Sequence, residues 1–364
     1  MKFSVIAVFL SLLVTTVFAT KPLKFSIVIH RHGDRTPTYL YPSDPYTESF
    51  WKKGLGQLTN LGKNQMYSLG KFIRYRYRNF LPVIYNEKDI QVISSDVSRV
   101  LMSAYSSLAG LYPPQHEDVW SLGINWQPIP VHIIPTSQDN ILHNFINCTK
   151  NKMLTQNYST KNKEKVEKYY KVIQEVIPYT GRKIDSVNHI DYVHLAISIH
   201  DSLFVEEIYN LKLPKWTVNY YPEPLREIAL FAFSVPSATK ELCRLRSGPL
   251  LKEILTLFDG VQQGTLKKKM YLFSGHDNTI LDLLQCLGVY DYQLIPYASA
   301  VFLELYEGNN VPEILVGYKK GDVGLMKELK IPGCNNMVRC PLDSFKKLIK
   351  DLIPDDWEKE CDSV

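Results

Sequence analysis

Residues 24–37 read KFSIVIHRHGDRTP, and this stretch carries the strongest fold signal in the chain. Its first half is a compact run of β-branched and aromatic residues, a composition that favours a buried strand. Gly33 and Pro37 follow directly and are typical of a loop. We therefore predict a buried strand over residues 24–30 that ends in a loop rich in arginine and histidine.

Helix and strand patterns alternate along the chain that follows this first strand. Before residue 137 they predict helices over residues 58–80 and 98–111 and strands over 89–94 and 129–134. After residue 234 they predict strands over 269–273, 300–306 and 313–318 and helices over 279–287 and 345–353. Such alternation predicts an α/β fold in which a mostly parallel sheet is flanked by helices.

The chain between these two regions has a different character. Residues 137–234 are polar, rich in Lys, Asn and Tyr, and helical rather than strand-like in pattern. We therefore expect residues 20–136 and 235–364 to form one α/β domain, and residues 137–234 to form a smaller helical insertion that acts as a lid.

The N-terminus has the pattern of a secretory signal peptide. Lys2 precedes an apolar stretch, which ends in the small-residue cleavage pattern Val17-Phe18-Ala19. We expect residues 1–19 to be removed by cleavage after Ala19, so that the mature protein is extracellular. An uncleaved anchor is the alternative, because the segment is just long enough to span a bilayer. The C-terminus is polar, and we expect no membrane anchor there.

In an oxidising compartment, the cysteines of the chain are expected to form disulfides and its sequons can carry glycans. Six cysteines follow the signal peptide, an even number that predicts three disulfides among fifteen pairings: Cys148, Cys243, Cys286, Cys334, Cys340 and Cys361. Two glycosylation sequons begin at Asn147 and Asn157, in a polar stretch that is expected at the surface.

Composition and charge argue against several classes of function. Apolar residues make up 45% and charged residues 22% of the chain, which is ordinary for a soluble globular protein. The formal charge of +5 is spread along the chain, and the basic run at residues 267–269 is typical of a solvated loop. No zinc-finger spacing or basic helix supports nucleic-acid binding. The histidines at 189, 194 and 200 lack metal-ligand spacing, so we expect no metal.

The loop after the first strand has the chemistry of a phosphate site. In open α/β sheets, ligands bind outside the carboxyl ends of the strands. Arg31 and Arg35 flank His32, and planar guanidinium groups bind phosphate oxygens bidentately. A neutral imidazole held against a clamped phosphorus is a competent nucleophile. We expect Gly33 to allow the backbone a close approach to the phosphate.

A second polar motif, SGHDNT at residues 274–279, also lies between a predicted strand and a predicted helix. Its pair His276-Asp277 can converge on the same pocket. A protonated carboxylic acid there could donate its proton to a leaving alkoxide. The helix that is expected to begin near Thr279 adds positive potential to an anion site.

Together these motifs resemble the histidine acid phosphatase family, in particular its prostatic and lysosomal branch and the secreted acid phosphatases of insect venoms. Three further segments carry the likeness: SDVSRVLMSA at 95–104, WQPIPV at 126–131 and PYAS at 296–299. The resemblance implies hydrolysis of small phosphate monoesters through a phosphohistidine, without a metal or cofactor. It implies that His32 is the nucleophile, Asp277 the proton donor, and a further set of residues the phosphate ligands: Arg31, Arg35, Arg99 and His276.

The cysteines depart from the family in one pair. Vertebrate members carry a disulfide between cysteines near the positions of Val205 and Ala300, and both are missing here. The family pattern implies Cys148–Cys361 and Cys334–Cys340. The two additional cysteines are expected to replace the lost bridge with Cys243–Cys286. Members are often dimers, which makes a homodimer a candidate assembly, although no interface is recognisable in the sequence.

Three other functions stay open at this stage. A phytase would use the same scaffold, but Asp34 in the motif favours the general acid phosphatases by resemblance, and no dense lysine pocket is recognisable. A secreted binding or allergenic protein without activity is disfavoured because every expected catalytic residue is present. A phosphoglycerate-mutase-like transferase shares the Arg-His-Gly core, but the signal peptide and the His276-Asp277 pair argue against it.

Overall fold

The computed structural model describes residues 21–143, 148–182, 189–308 and 311–362, with side chains from residue 193 onward in the third stretch. The predicted signal peptide and the sequon asparagine Asn147 lie outside these residues. Among the described residues, no helix is both long and apolar enough to cross a membrane.

Eight strands form a single sheet in the described part of the chain: β1 (Leu23–Arg31), β2 (Ile90–Ser95), β3 (His132–Ile134), β4 (Met270–Gly275), β5 (Ala300–Tyr306), β6 (Glu313–Lys319), β7 (Lys327–Leu329) and β8 (Arg339–Pro341). Their order is β3-β2-β4-β1-β5-β6-β7, and β8 also pairs with β6. The four strands from β3 to β1 run parallel, and the pairs from β1–β5 onward are antiparallel. The sheet is therefore mixed, and its parallel half includes the first predicted strand.

Helices cover the sheet and build the inserted segment. The ranges are α1 (Asn60–Arg76), α2 (Ser98–Leu111), α3 (Thr149–Lys161), α4 (Lys163–Thr180), α5 (His189–Ile208), α6 (Leu225–Ser234), α7 (Lys240–Arg246), α8 (Gly248–Gln262), α9 (Asp277–Cys286), α10 (Leu342–Ile349) and α11 (Trp357–Asp362). The α/β fold class predicted from the alternating pattern is confirmed.

Strand β1 is buried on both faces, which explains why its sequence is almost continuously apolar. Phe25, Ile27 and Ile29 point to one face, where α8, α9 and α10 pack. Val28 points to the other face, against α1 and α2. Because successive side chains of a strand alternate between faces, both layers of helices pack on this one central strand.

The inserted segment has an apolar core of its own. Helices α4, α5 and α6 bury one side of each helix against the others, with Ile173, Ile199 and Ile228 fully buried among them. The polar composition of residues 137–234 therefore reflects the outer faces of these helices. Tyr41, from the loop after β1, is buried in the same cluster and joins it to the sheet.

Several element boundaries differ from the sequence-based predictions. The strand predicted over 129–134 is formed only at His132–Ile134, because Pro128 and Pro130 lack the N–H that a ladder requires. Helix α9 begins at Asp277, since His276 occupies the N-cap position. The predicted closing helix begins earlier and ends earlier, as α10. Helices α7 and α8 and strands β7 and β8 were not predicted.

Three disulfides join distant parts of the chain. Cys148 is bonded to Cys361, Cys243 to Cys286, and Cys334 to Cys340. These are the same pairs that the resemblance led us to expect. The Cys243–Cys286 bridge connects α7 to the C-terminal end of α9, so it ties the region after the inserted segment to the helix that begins at the second motif.

Candidate active site

The sheet brings the two polar motifs together. Arg31, the last residue of β1, lies opposite Gly275, the last residue of β4, in a parallel register. The His32 N–H continues the ladder by donating to the Gly275 carbonyl at 3.1 Å. On the other side, the Ala298 N–H donates to the His32 carbonyl at 3.1 Å. The backbone of His32 is therefore held from two sides.

The His32 ring is held in one tautomer. Its Nδ1 lies 2.8 Å from the Gly33 carbonyl oxygen, which only accepts, so Nδ1 carries the proton. Nε2 then keeps its lone pair, and Arg99 Nε donates to it at 3.2 Å. Burial, and then the charges of Arg31, Arg99 and Arg35, hold the pKa of His32 well below its ordinary value. The ring is thus neutral in acid, with Nε2 available as a nucleophile.

Three guanidinium groups surround this ring, and in the described part of the chain two of them form ion pairs with carboxylates. Arg31 Nη2 lies 2.8 Å from Asp277 Oδ2. Arg35 forms a bidentate pair with Asp201, at 2.9 Å and 2.8 Å. No carboxylate of the described residues lies within ion-pair distance of Arg99, and burial lowers its pKa to about 10. The cluster carries an excess positive charge that suits an anion.

Two arginines keep donors for such an anion. The Nε–H groups of Arg31 and Arg35 are buried and have no hydrogen-bond partner among the described residues. Buried donors of this kind are normally satisfied, and both arginines line the same cavity, so the site has unused hydrogen-bonding capacity beside a space that can hold a ligand. Phosphate oxygens are suitable acceptors, and charge-assisted bonds to them are strong.

His276 is also neutral, and its orientation is fixed by a helix cap. Its backbone N–H donates to Thr279 Oγ1 at 3.0 Å, and its ring accepts the Thr279 backbone N–H in return. The other ring nitrogen, Nε2, lies 3.1 Å from Ser95 Oγ. Burial and the charge of Arg99 lower the pKa of His276 to about 3. A neutral ring that accepts the Thr279 N–H carries its proton on the other ring nitrogen, Nε2, which faces the Ser95 hydroxyl.

Asp277 is the first residue of α9 and is ionised in the protein alone. Burial acts to raise the pKa of its carboxyl, but the charges of Arg31 and Arg35 outweigh burial and hold that pKa below its usual range. The Asn278 backbone N–H also donates to Asp277 Oδ1 at 2.9 Å. A proton-donor role therefore requires that the carboxylate receives its proton when the substrate binds.

Close packing against α1 explains why position 33 is a glycine, and the sequence did not indicate this reason. A Cβ on Gly33 would lie 2.3 Å from the carbonyl oxygen of Gly62, near the N-terminus of α1, and a Cβ on Gly62 would lie 2.1 Å from the Asp34 carbonyl oxygen. The motif loop and α1 thus meet backbone to backbone. The N-cap residue Thr59 adds a hydrogen bond from its hydroxyl to the Asp34 carboxylate. Gly33 is required by this close packing.

Three residues of the site escaped the sequence analysis. Asp201 binds Arg35 from α5, Ser95 faces His276 from the end of β2, and the Tyr297 ring packs 4.2 Å from the Arg31 guanidinium. Tyr297 belongs to a segment that carried the family resemblance, but no role was attached to it. Ser95 likewise begins a segment that carried the resemblance, with no role attached to it. Nothing local to Asp201 indicates a site, because it acts through a residue that is remote in sequence.

The six predicted site residues line one cavity of about 840 Å³: Arg31, His32, Arg35, Arg99, His276 and Asp277. The rest of its lining combines polar and apolar side chains from α5, α6, α9 and the segment before β5, with Leu230, Leu281 and Leu294 among the apolar ones. A cavity of this size can enclose a drug-sized molecule. The structure therefore places the charged cluster in a pocket with room for a sizeable leaving group.

Residues 22–317 match the model of the family described as histidine phosphatase superfamily, branch 2. The chain is 36% identical to the prostatic acid phosphatase of Homo sapiens over 345 residues, which covers 94% of this chain and 88% of that protein. It is 33% identical to the lysosomal acid phosphatase of Homo sapiens, covering 94% of this chain and 80% of that protein.

Solved structures of low sequence identity share the fold. The phytase from Citrobacter braakii has a TM-score of 0.68 at 17% identity, covering 94% of this chain and all (100%) of that one. Hafnia alvei phytase in complex with tartrate also has a TM-score of 0.68 at 17% identity, covering 95% of this chain and 100% of that one. At such identity the likeness concerns the fold alone.

The low pKa of His32 can be measured directly. An unperturbed histidine gains its proton within about pH 5 to 8, so the His32 ring should show no titration in an NMR experiment over that range. In Arg99→Ala the loss of a nearby positive charge should move the His32 pKa upward. A His32 signal that titrates at its ordinary pKa in the native protein would contradict the electrostatic description of the site.

Proposed function

Because the chain belongs to branch 2 of the histidine phosphatase superfamily, we propose that it is an acid phosphatase that hydrolyses phosphate monoesters through a phosphohistidine at His32. The fixed tautomer of His32 is the main support for its assignment as the nucleophile. Its unprotonated Nε2 lies among three arginines, and its pKa stays low enough for the ring to remain neutral in acid.

The proposed reaction has two steps. In the first, the Nε2 lone pair of His32 forms a bond to phosphorus, the bond to the leaving oxygen breaks, and Asp277 gives that oxygen a proton. In the second, water attacks phosphorus, the P–N bond breaks, and Asp277 takes up the proton that water loses. Arg31, Arg35 and Arg99 stabilise the charge on the transferring phosphoryl group.

The preference of the reaction for acidic pH follows from the source of the proton that Asp277 gives to the leaving group. Asp277 is ionised in the protein alone, as its lowered pKa indicates. A phosphate monoester loses its last proton at about pH 6, so in acid it brings a proton into the site. The phosphoryl charge beside Asp277 offsets the effect of Arg31 and favours the protonated carboxyl. Activity should therefore fall as the pH rises above the second pKa of the substrate, while neutral His32 sustains activity in acid.

Phytate hydrolysis is the second candidate, because the structurally similar proteins include phytases. The cavity lining outside the charged cluster does not favour a polyanion. Arg226 and Lys320 line this part of the cavity, and each forms an ion pair with a carboxylate. Arg226 lies 2.6 Å from Glu223, and Lys320 lies 3.2 Å from Asp291. Glu227, which accepts a hydrogen bond from Tyr169, adds a further negative charge. A hexakisphosphate would meet few free cations there.

The compartment and the organisation of the chain belong to the same proposal. The three disulfides are typical of an extracellular or lumenal protein. We propose that residues 1–19 are a signal peptide cleaved after Ala19, that the protein is secreted, and that residues 137–234 form a lid. Asn157 is exposed on α3, which supports glycan attachment there. Glycosylation at Asn147, homodimer formation and closeness to the insect venom enzymes stay predictions.

Trapping of the intermediate tests the nucleophile. His32→Ala should abolish turnover and leave the thermal unfolding transition near its native temperature, since the backbone contacts of residue 32 do not need the ring. Rapid quenching in base, where the P–N bond of a phosphohistidine survives, followed by peptide mapping under basic conditions, should locate the phosphoryl group on His32 of the native enzyme. Phosphorylation of any other residue would overturn the mechanism, and no turnover of any monoester by the native protein would favour the inactive binding protein.

A series of leaving groups separates proton donation from phosphate binding. Asp277→Asn should slow the phosphorylation step by roughly 10²–10⁴-fold on alkyl phosphates, whose alkoxide needs a proton. The loss should be much smaller on p-nitrophenyl phosphate, because nitrophenolate leaves without help. Arg99→Ala is the matched control and should reduce kcat/KM on every substrate alike, since it binds oxygens that all share. Equal losses along the series for Asp277→Asn would mean that Asp277 only positions the phosphate.

A substrate panel decides between the two candidate functions. The native protein should have a higher kcat/KM for simple aryl and alkyl monoesters than for phytate at the same acidic pH. The double variant Glu223→Gln with Glu227→Gln removes two negative charges from the cavity lining. It should bind phytate better, so that its kcat/KM for phytate comes closer to its kcat/KM for simple monoesters. A native preference for phytate would replace the first candidate with the second.

A further inference from the structure

Helix α5 of the inserted segment contacts the motif loop with a row of polar side chains. Asp201 binds Arg35, Ser202 Oγ donates to the Tyr39 carbonyl at 2.5 Å, and the Tyr209 hydroxyl donates to Asp34 Oδ2 at 2.9 Å. Asp201 and Ser202 are adjacent on α5, and Tyr209 directly follows the last residue of the helix, about two turns further on. The inserted segment thus reaches the phosphate-binding residues directly.

The contact between Asp201 and Arg35 is the one that touches the predicted site. Both Nη atoms of Arg35 donate to the carboxylate, at 2.9 Å and 2.8 Å, in the planar bidentate geometry that orients a guanidinium. Thr38 Oγ1 donates to Asp201 Oδ2 at 3.2 Å and holds the carboxylate from the other side. The Arg35 side chain is buried, with 8% of its surface exposed.

The contacts of Arg35 occupy its Nη edge and leave its Nε–H unused. Asp201 accepts from both Nη atoms, Nη1 also donates to the Thr36 carbonyl at 3.2 Å, and the Nε–H is buried without a partner among the described residues. A carboxylate on the Nη edge fixes the plane of the guanidinium, and with it the direction in which the Nε–H points. Without such a partner, a long flexible side chain would sample several rotamers.

The same pair also sets the charge of the site. Burial alone would raise the pKa of Asp201, but the Arg35 charge and hydrogen bonds outweigh it, so the carboxylate stays ionised in acid. The Arg35–Asp201 unit is then nearly neutral to its surroundings. If Arg35 were removed, an unpaired carboxylate would face the phosphate and repel it.

We propose that Asp201 is a positioning residue for phosphate transfer: from the inserted helix α5 it fixes the Nη edge of Arg35 and so directs the remaining donors of Arg35 to the phosphoryl group. This inference rests on the proposed phosphatase function, because it gives Asp201 a part in the same reaction. It also means that the phosphate-binding residues are complete only when α5 is docked on the motif loop.

The alternative is that Asp201 only holds α5 in place. Ser202 offers a matched control, because it lies next to Asp201 on α5 and docks the helix on Tyr39 without touching Arg35. A docking role predicts that substitutions at the two positions lower kcat/KM by similar factors. It also predicts that these losses are proportional to the loss of thermal stability. A positioning role predicts a specific effect of Asp201 on phosphate binding and transfer.

The first measurement uses single variants in the full mature protein. Asp201→Asn should lower kcat/KM by about 10- to 100-fold, the usual cost of misplacing a binding group by a fraction of a bond length to an ångström. The loss should be equal for p-nitrophenyl and alkyl phosphates, because Arg35 binds the phosphoryl oxygens and not the leaving group. Ser202→Ala should change kcat/KM by less than about threefold, because the buried Ser202 hydroxyl contacts the Tyr39 carbonyl and not Arg35.

The second measurement is a double-mutant cycle on the affinity for inorganic phosphate, measured by calorimetry. Asp201→Asn should weaken phosphate binding when Arg35 is present. In the Arg35→Ala background the same change should leave the affinity unchanged or raise it, because it removes a like charge and no longer disturbs an arginine. Circular dichroism would check that each variant is folded, and Arg35→Gln replaces Arg35→Ala if the latter is not.

The outcomes separate this inference from the proposed function. Equal losses of phosphate affinity from Asp201→Asn in both backgrounds would overturn the positioning role, even if the native protein is an active phosphatase. The positioning role would also be overturned if Ser202→Ala lowered kcat/KM as much as Asp201→Asn does. If the native protein hydrolyses no monoester, the proposed function fails. The cycle on phosphate affinity still decides whether Asp201 acts through Arg35.

Discussion

The parallel pairing of β1 with β4 is the constraint on which the rest of the site depends. With Arg31 opposite Gly275, the two strands end at the same level, and His32 and His276 leave the sheet side by side. Strand β2 pairs with β4 on its other side and ends at the same edge, which delivers Ser95 and then Arg99. Three segments that are far apart in the sequence therefore meet around one point. A shift of one residue in this register would turn the catalytic side chains to opposite faces of the sheet.

The electrostatics of the site follow from burying more cations than carboxylates. Both histidines are surrounded by guanidinium groups and by protein, so each remains neutral in acid, and backbone contacts select the tautomer of each. One ring presents a lone pair and the other a proton, although the residue type is the same. The carboxylate of Asp277 is ionised for the same reason and depends on the substrate for its proton. In the proposed mechanism, an acidic working range is thus a consequence of the charges that are proposed to bind the phosphate.

The inserted helices contribute to the site as well as to the pocket wall. Their buried faces form a separate apolar core, which includes Tyr41 from the loop after β1, and their polar contacts with the loop run along α5. The fold therefore encloses the motif loop between the sheet edge and the inserted segment. Close packing of Gly33 on Gly62 restricts the same loop from the side of α1. The arginines of the motif loop are held by neighbours on three sides, which reduces the conformational freedom that binding of a ligand would otherwise have to remove.

The sequence by itself determined the α/β class, the strand that ends in the motif loop, and the residue types of the site, because hydrophobic periodicity and local motifs are written in neighbouring residues. His32 and Asp277 were recognisable in this way, and the family resemblance added Arg99. The tertiary structure alone decided the mixed direction of the sheet, the tautomers of the two histidines, and the contact of Asp201 with Arg35. It also decided the reason for Gly33, which packs on Gly62 of another element. Each of these features depends on a partner that is distant along the chain, and no local pattern of residues records which distant groups will meet.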